Sequence, residues 1–261
     1  MKHRLGIVLS GGGTRGVAHV GALKALDEHG LSPGCIAGTS AGAIVGALYA
    51  AGYSSEEMLE FFEVKSPFKL SKLAVGKPGL LDTEKSVPDF LEYFPENSFE
   101  ALSRPLFVTA TDIVNARLEV FSSGVLVQTI LASSSVPMVF TPTEIDGRWF
   151  SDGGIIDNFP VAPIKMLCDT LVGVYASPLR KVERSTLKNS LAVSQRAIEV
   201  GMYLSSRRRF HDCDVVICPE ALSAFSAFDT KHLPTILDIG YRETLSKIEL
   251  IQRIVAEKMS S

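Results

Sequence analysis

The chain has 261 residues, 46% hydrophobic and 21% charged, an ordinary globular composition with enough apolar residues for a sizeable core. Its net charge of −3 gives no electrostatic basis for nucleic acid as a partner. Cys35, Cys168, Cys213 and Cys218 form no CxxC pair and have no histidine cluster beside them, which argues against a metal site or a disulfide framework and for a reducing compartment.

The basic start Met1-Lys2-His3-Arg4 leads into apolar Leu5–Leu9. A secretory leader needs about 7–15 apolar residues, so a cytoplasmic N-terminus is expected. Leu5–Ser10 reads as a strand, broken by the glycines at 11–13, and Val17–His29 has helical spacing through Val17, Val20, Leu23 and Leu26. Gly30 to Ser55 carries no charge, but Pro33, Thr39, Ser40 and its glycines divide it into a strand at Cys35–Thr39 and a small-residue helix at Ala41–Ala51, not a membrane span. Ser54 or Ser55 fits a helix N-cap, with Glu56 and Glu57 in the first turn. Residues 64–82 have no clean period and read as a loop-rich excursion, either a lid or a surface loop.

Leu106–Thr111 and Leu118–Phe121 follow as strands, and Asp146-Gly147 between Thr143–Ile145 and Arg148–Phe150 is a hairpin signal. Leu171–Tyr175 is a continuous apolar run, as in a strand buried on both faces of a parallel sheet. Residues 185–209 and 231–258 read as long amphipathic helices, with a strand at Val215–Cys218 between them. The run Arg207-Arg208-Arg209 is taken as a solvated helix end in preference to a headgroup-binding patch. The alternation predicts one α/β domain over 1–261: a three-layer α/β/α sandwich with a mostly parallel central sheet. Its motif-bearing part is about 5–176, and the two C-terminal helices pack on it.

Three motifs carry chemistry. Gly11-Gly12-Gly13-Thr14-Arg15-Gly16 fits the dinucleotide fingerprint G-x-G-x-x-G, but the next strand ends in Gly38-Thr39-Ser40-Ala41-Gly42 without the acid that would hold a ribose. No dinucleotide is expected, although converging backbone N–H groups in such a loop could still stabilise a negative oxygen, including an oxyanion. Gly38-Thr39-Ser40-Ala41-Gly42 is a G-x-S-x-G at a strand–helix junction, where a sharp turn presents a serine hydroxyl to the sheet edge. The plain alternative is a Ser40 N-cap. Ser151-Asp152-Gly153-Gly154 offers Asp152 as a base, or else only a tight turn. Among the five histidines, His211 and His232 allow a Ser-Asp-His order formally but lie in polar stretches without turn glycines. His19 is placed to support the Gly-rich loop.

Taken in order, these three blocks resemble those of patatin-like phospholipases. So do His19-Val20-Gly21, Ala132-Ser133-Ser134-Ser135-Val136-Pro137 ahead of Phe140, and Asp157-Asn158-Phe159-Pro160. The resemblance covers roughly Leu5 to Tyr175 and leaves the C-terminal third to pattern alone. It implies a carboxylic ester hydrolase with a Ser40–Asp152 dyad and no histidine. Gly11, Gly12 and Gly13 with Arg15 would form the oxyanion hole, Gly38 and Gly42 would flank the nucleophile elbow, and Gly153 and Gly154 would follow the base. It implies no metal and no cofactor, a lipid acyl ester as substrate (phospholipid or lysophospholipid), and peripheral membrane contact. An ordinary aspartate, with a pKa near 3.9, is a weak base at neutral pH, so burial or strong oxyanion stabilisation has to compensate. Phe61, Phe62, Phe68 and Leu70 with Lys65, Lys69 and Lys72 form either a membrane-facing rim or core under the loop. Two other classes stand beside this reading: a regulatory or adaptor protein on the same fold with little turnover, and a nucleotide-binding enzyme using the Gly-rich loop.

Overall fold

The structure, a computed structural model, describes residues 2–65, 74, 76 and 78–260. In chain order the main elements are β1 (His3–Leu9), α1 (Val17–Glu28), β2 (Cys35–Thr39), α2 (Ala41–Ala51), α3 (Ser55–Val64), α4 (Val87–Tyr93), β3 (Leu106–Asp112), β4 (Arg117–Phe121), α5 (Leu126–Ser133), β5 (Thr143–Ile145), β6 (Arg148–Asp152), β7 (Cys168–Val174), α6 (Ser190–Arg207), β8 (Val215–Ile217), α7 (Leu233–Leu245) and α8 (Ile248–Met259). The strands form one eight-stranded sheet in the order β5-β6-β3-β2-β1-β7-β8, with β4 added on β3. The pairings from β3 through β2, β1 and β7 to β8 are parallel, and those of β4, β5 and β6 are antiparallel. The α/β architecture with a mostly parallel sheet is therefore as expected.

The central strands are buried along their length, which is why they read as continuous apolar runs. α2 is also buried on nearly every side, so its composition is small and apolar and shows no amphipathic stripe. Ser54 is the N-cap of α3 and forms a full capping box with Glu57. Phe61 and Phe62 on α3 are completely buried, and Phe61 makes edge-to-face contacts with Phe90 and Tyr93. That overturns a membrane rim at these two residues: their rings fill the core beneath α4, and Lys65 is tied to Asp89 and Glu92. Phe68, Leu70, Lys69 and Lys72, with most of the expected loop, lie outside the described residues.

The helix expected over 231–258 is two helices. α7 ends at Leu245 and α8 begins at Ile248. α7 runs close against α1, where the backbone oxygens of Leu237 and Ala18 lie 2.0 Å from the positions that Cβ atoms on Gly21 and Gly240 would take. The Lys247 side chain then donates to the Val216 carbonyl at 2.9 Å, turning the chain onto the sheet edge.

One feature of the register builds the site. β4 holds one edge of β3 over Val108–Asp112. The other edge is shared. β2 pairs with it up to Thr39 opposite Thr109, and β6 takes over at the next residue, with Asp152 opposite Ala110. The end of β2 and the end of β6 therefore meet head-on along β3, which brings residue 40 and residue 152 together.

Candidate functional site

Ser40 follows β2 directly, with φ 55° and ψ −123°, a backbone conformation that a residue with a Cβ rarely adopts. Its side chain makes no N-cap hydrogen bond, so the plain capping reading does not hold. The strain is held from outside: the Ser40 N–H donates to the Ser133 hydroxyl at 2.8 Å. Close packing of backbone on backbone holds it as well. A Cβ on Gly42 would lie 2.2 Å from the Leu9 carbonyl oxygen, and one on Gly38 would lie 2.5 Å from that of Gly42, so neither position admits a side chain.

Asp152 ends β6 at the same place. It is 5% exposed, and Ser40 is 3% exposed. Burial pushes the Asp152 carboxyl up to about 6. The Ser40 hydroxyl, close enough to act by hydrogen bonding, and the Gly154 N–H, donating at 2.7 Å, each pull it down in part. No histidine contributes: His211 is exposed beside Asp212, and His232 bonds Asp229. The backbone of Asp152 is fixed by its N–H to the Ser135 carbonyl at 3.0 Å and by the Thr111 hydroxyl on its own carbonyl at 2.9 Å. Ser133 and Ser135 thus hold both halves of the pair from the end of α5, a function that the serine-rich stretch 133–135 does not announce.

The Gly-rich loop packs against Ser40. A Cβ on Gly11 would lie 3.2 Å from the Ser40 Cβ, and one on Gly16 would lie 2.5 Å from the Ala41 Cβ. Three consecutive carbonyls of the loop are anchored. His19 Nε2 bonds the Ser10 oxygen at 2.8 Å, the Ser177 and Ser10 hydroxyls donate to the Gly11 oxygen at 2.9 and 3.0 Å, and Arg15 Nε donates to the Gly12 oxygen at 3.3 Å. Complete burial brings the His19 pKa down to about 4, so the ring is neutral and Nε2–H is the donor. In a trans peptide the N–H points away from the carbonyl. Each anchored carbonyl therefore aims the next residue's N–H in the opposite direction.

The Gly11 N–H is taken up by the Asn158 carbonyl at 3.2 Å, whereas those of Gly12 and Gly13 have no acceptor among the described residues. Of the expected oxyanion donors, Gly12 and Gly13 are the ones left available. The Arg15 guanidinium also donates to the Ser177 hydroxyl at 3.3 Å, and it is built into the loop as a brace. Gly13 has φ +60° and would place a Cβ 2.2 Å from the Ala227 carbonyl oxygen, while the Thr14 N–H donates to that same oxygen at 2.8 Å. The C-terminal third thus buttresses the loop.

Gly153 and Gly154 sit between neighbours. A Cβ on Gly153 would meet the Thr109 oxygen at 2.4 Å. One on Gly154 would meet the Asn158 side-chain oxygen and the Met202 methyl of α6, both at 2.7 Å. Asn158 Oδ1 also occupies the space above Gly11, which places this side chain between the two glycine motifs. Asp157 is buried, with the partly exposed Arg209 guanidinium at 3.5 Å, so the third arginine of the 207–209 run also faces a buried carboxylate. Asn158 and Asp157 belong to a stretch visible as a motif. Ser177, Ser226 (whose carbonyl accepts from the Thr14 hydroxyl at 3.3 Å) and Ala227 carry no sequence signal.

The sequence matches the family described as Patatin-like phospholipase over residues 7–164. An uncharacterized NTE family protein of Mycobacterium bovis is 34% identical over 188 residues, 69% of this chain and 52% of the relative. Lysophospholipase NTE1 of Yarrowia lipolytica is 31% identical over 170 residues, 62% of this chain and 12% of the relative. The chain thus spans about half, or far less, of the curated relatives it matches. Among solved structures, VipD from Legionella pneumophila shares the fold, with a TM-score of 0.55 at 15% identity over 96% of this chain and 67% of that one.

Proposed function

The chain belongs to the patatin-like phospholipase family, and from that premise we propose that it is a lipid acyl hydrolase working through a Ser40–Asp152 dyad. The observation that carries this reading is the buried meeting of the Ser40 hydroxyl with the Asp152 carboxylate at a strained turn, beside a glycine loop with two N–H groups that have no acceptor among the described residues.

In this mechanism Asp152 accepts the Ser40 proton as the hydroxyl oxygen attacks an ester carbonyl. The Gly12 and Gly13 N–H groups stabilise the oxyanion, where one donor can contribute about 2.7–4 kcal/mol. The alcohol leaves with the proton from Asp152, giving an acyl-Ser40 ester. Water then gives up a proton to Asp152, attacks the acyl group, and the fatty acid departs as Ser40 is reprotonated. Desolvation supports the base role, because a pKa near 6 matches an operating pH near neutrality better than an ordinary aspartate does. The substrate class we propose is a phospholipid or lysophospholipid acyl ester, in keeping with the names of the fungal relatives.

A hydrolysis screen over short-chain esters, lysophospholipids and diacyl phospholipids, run beside Ser40→Ala and Asp152→Ala, tests this. Each substitution should lower kcat by at least about 1,000-fold, and a fluorophosphonate probe should label Ser40 in the wild type alone. Ser40→Ala protein that keeps most of its activity would end the assignment.

A further inference from the structure

The segment between β7 and β8 differs in charge from the rest of the molecule. Residues 178–209 contain eight Lys and Arg against two Asp and Glu, whereas the remainder contains 18 against 27. Among the described residues, Arg180, Lys181, Arg184, Lys188, Arg207 and Arg208 have no carboxylate within ion-pair distance. The cations cluster before and after α6.

Between them the helix presents an outer face of another kind. Val193, Ala197, Val200 and Leu204 recur at i, i+4, i+7 and i+11, the spacing of one helical stripe. Val193, Ala197 and Leu204 of that stripe are exposed. Val193 and Leu204 are 50% and 52% exposed. The inner face holds Met202 over Gly154 and Ser206, which is buried. Glu199 lies near enough to Arg15 to favour its charge. α6 therefore adjoins both the Asp152 loop and the Gly-rich loop while offering solvent an apolar face between two basic clusters.

An amphipathic helix with exposed aliphatic residues and flanking Lys and Arg is suited to the interface of an anionic bilayer. We infer that residues 178–209 dock the protein on negatively charged phospholipid surfaces, seating the site next to its substrate. This rests on the reading of the chain as a lipid acyl hydrolase and assigns the surface that delivers substrate. Charge complementarity selects the occupant: a second copy would set like charges against each other, whereas an anionic leaflet neutralises them. The contact is peripheral, since among the described residues no helix is long and apolar enough to cross a membrane.

Vesicle flotation of the full chain, with phosphatidylcholine alone and with added phosphatidylglycerol, tests the inference. The chain should float with the anionic vesicles only, and less so in high salt. Replacing Lys181, Arg184 and Lys188 together by Ser should weaken partitioning on the order of 100-fold, from about fivefold for each basic residue at such a surface. Val193→Ser with Leu204→Ser should weaken it as well. Both variants should hydrolyse a soluble short-chain ester like the wild type. Equal flotation with both vesicle types, or variants that float like the wild type, would overturn the inference. So would a wild-type dimer in sedimentation that Leu204→Ser dissolves, because the face would then belong to a second copy. Vesicle binding without ester hydrolysis would instead remove the hydrolase reading and leave the docking surface standing.

Discussion

Replacing Asp152 by Asn should inactivate the protein and stabilise it, and the gain in stability should depend on pH. Asp152 is nearly inaccessible and has no cationic partner among the described residues; its carboxyl faces the Ser40 hydroxyl and the Gly154 N–H. Two neutral donors do not replace lost hydration, so the folded pKa rises from 3.8 to about 6. Between these values the folded state binds more protons at this group than the unfolded state does. Stability therefore falls as pH rises from about 4 through 6 and stays low above that. The displacement corresponds to about 3 kcal/mol. An amide keeps the Oδ1 acceptor for Gly154 and carries no charge. Asp152→Asn should thus be more stable than the wild type by up to about 3 kcal/mol at pH 8, with the difference closing toward pH 4. Denaturant titrations at pH 4, 6 and 8 measure this directly, provided the m-values agree. A variant less stable than the wild type at pH 8, or a difference indifferent to pH, would refute the desolvation argument. The same titration should appear in catalysis as a rise of kcat/KM with pH through an apparent pKa near 6.

Two further substitutions probe the loop. Ser177→Ala removes one of the two hydroxyls on the Gly11 carbonyl and a partner of Arg15; losing one such hydrogen bond costs about 1 kcal/mol. We expect kcat to fall about fivefold with KM little changed, and an equal loss in KM would show that the loop does not act selectively in the transition state. Gly13→Ala forces a left-handed backbone on alanine and drives its Cβ against the Ala227 carbonyl. It should lower stability by about 2 kcal/mol or more, measured by thermal unfolding, and a neutral result would mean that the 226–227 buttress can move aside.

The elements that announced themselves did so through local chemistry. Gly38 and Gly42 around Ser40 mark a turn that only small neighbours allow, and Asp146-Gly147 marks a two-residue hairpin that the structure forms between β5 and β6. The apolar runs of β1, β2 and β7 were legible because both faces of those strands are covered. Helices α4 and α5 carried weaker signals. α5 is buried on most sides and so has little polar face to give it a period, and α4 is only seven residues long. The break at 246–247 has neither Gly nor Pro; it exists because α7 must follow α1 and α8 must return to the sheet.

The candidate site divides in the same way. Its ingredients, Ser40, Asp152 and the glycine loop, stand in the sequence as short motifs, since each depends on backbone geometry within a few residues. Their meeting depends on β3 passing one of its edges from β2 to β6 between Thr109 and Ala110, through pairings that join residues 70 and 42 positions apart in the chain. The supports from Ser133, Ser135, Ser177 and Ala227 likewise come from distant segments. A raised pKa at Asp152 belongs to neither group of residues: it follows from the exclusion of water, which only the packed structure brings about.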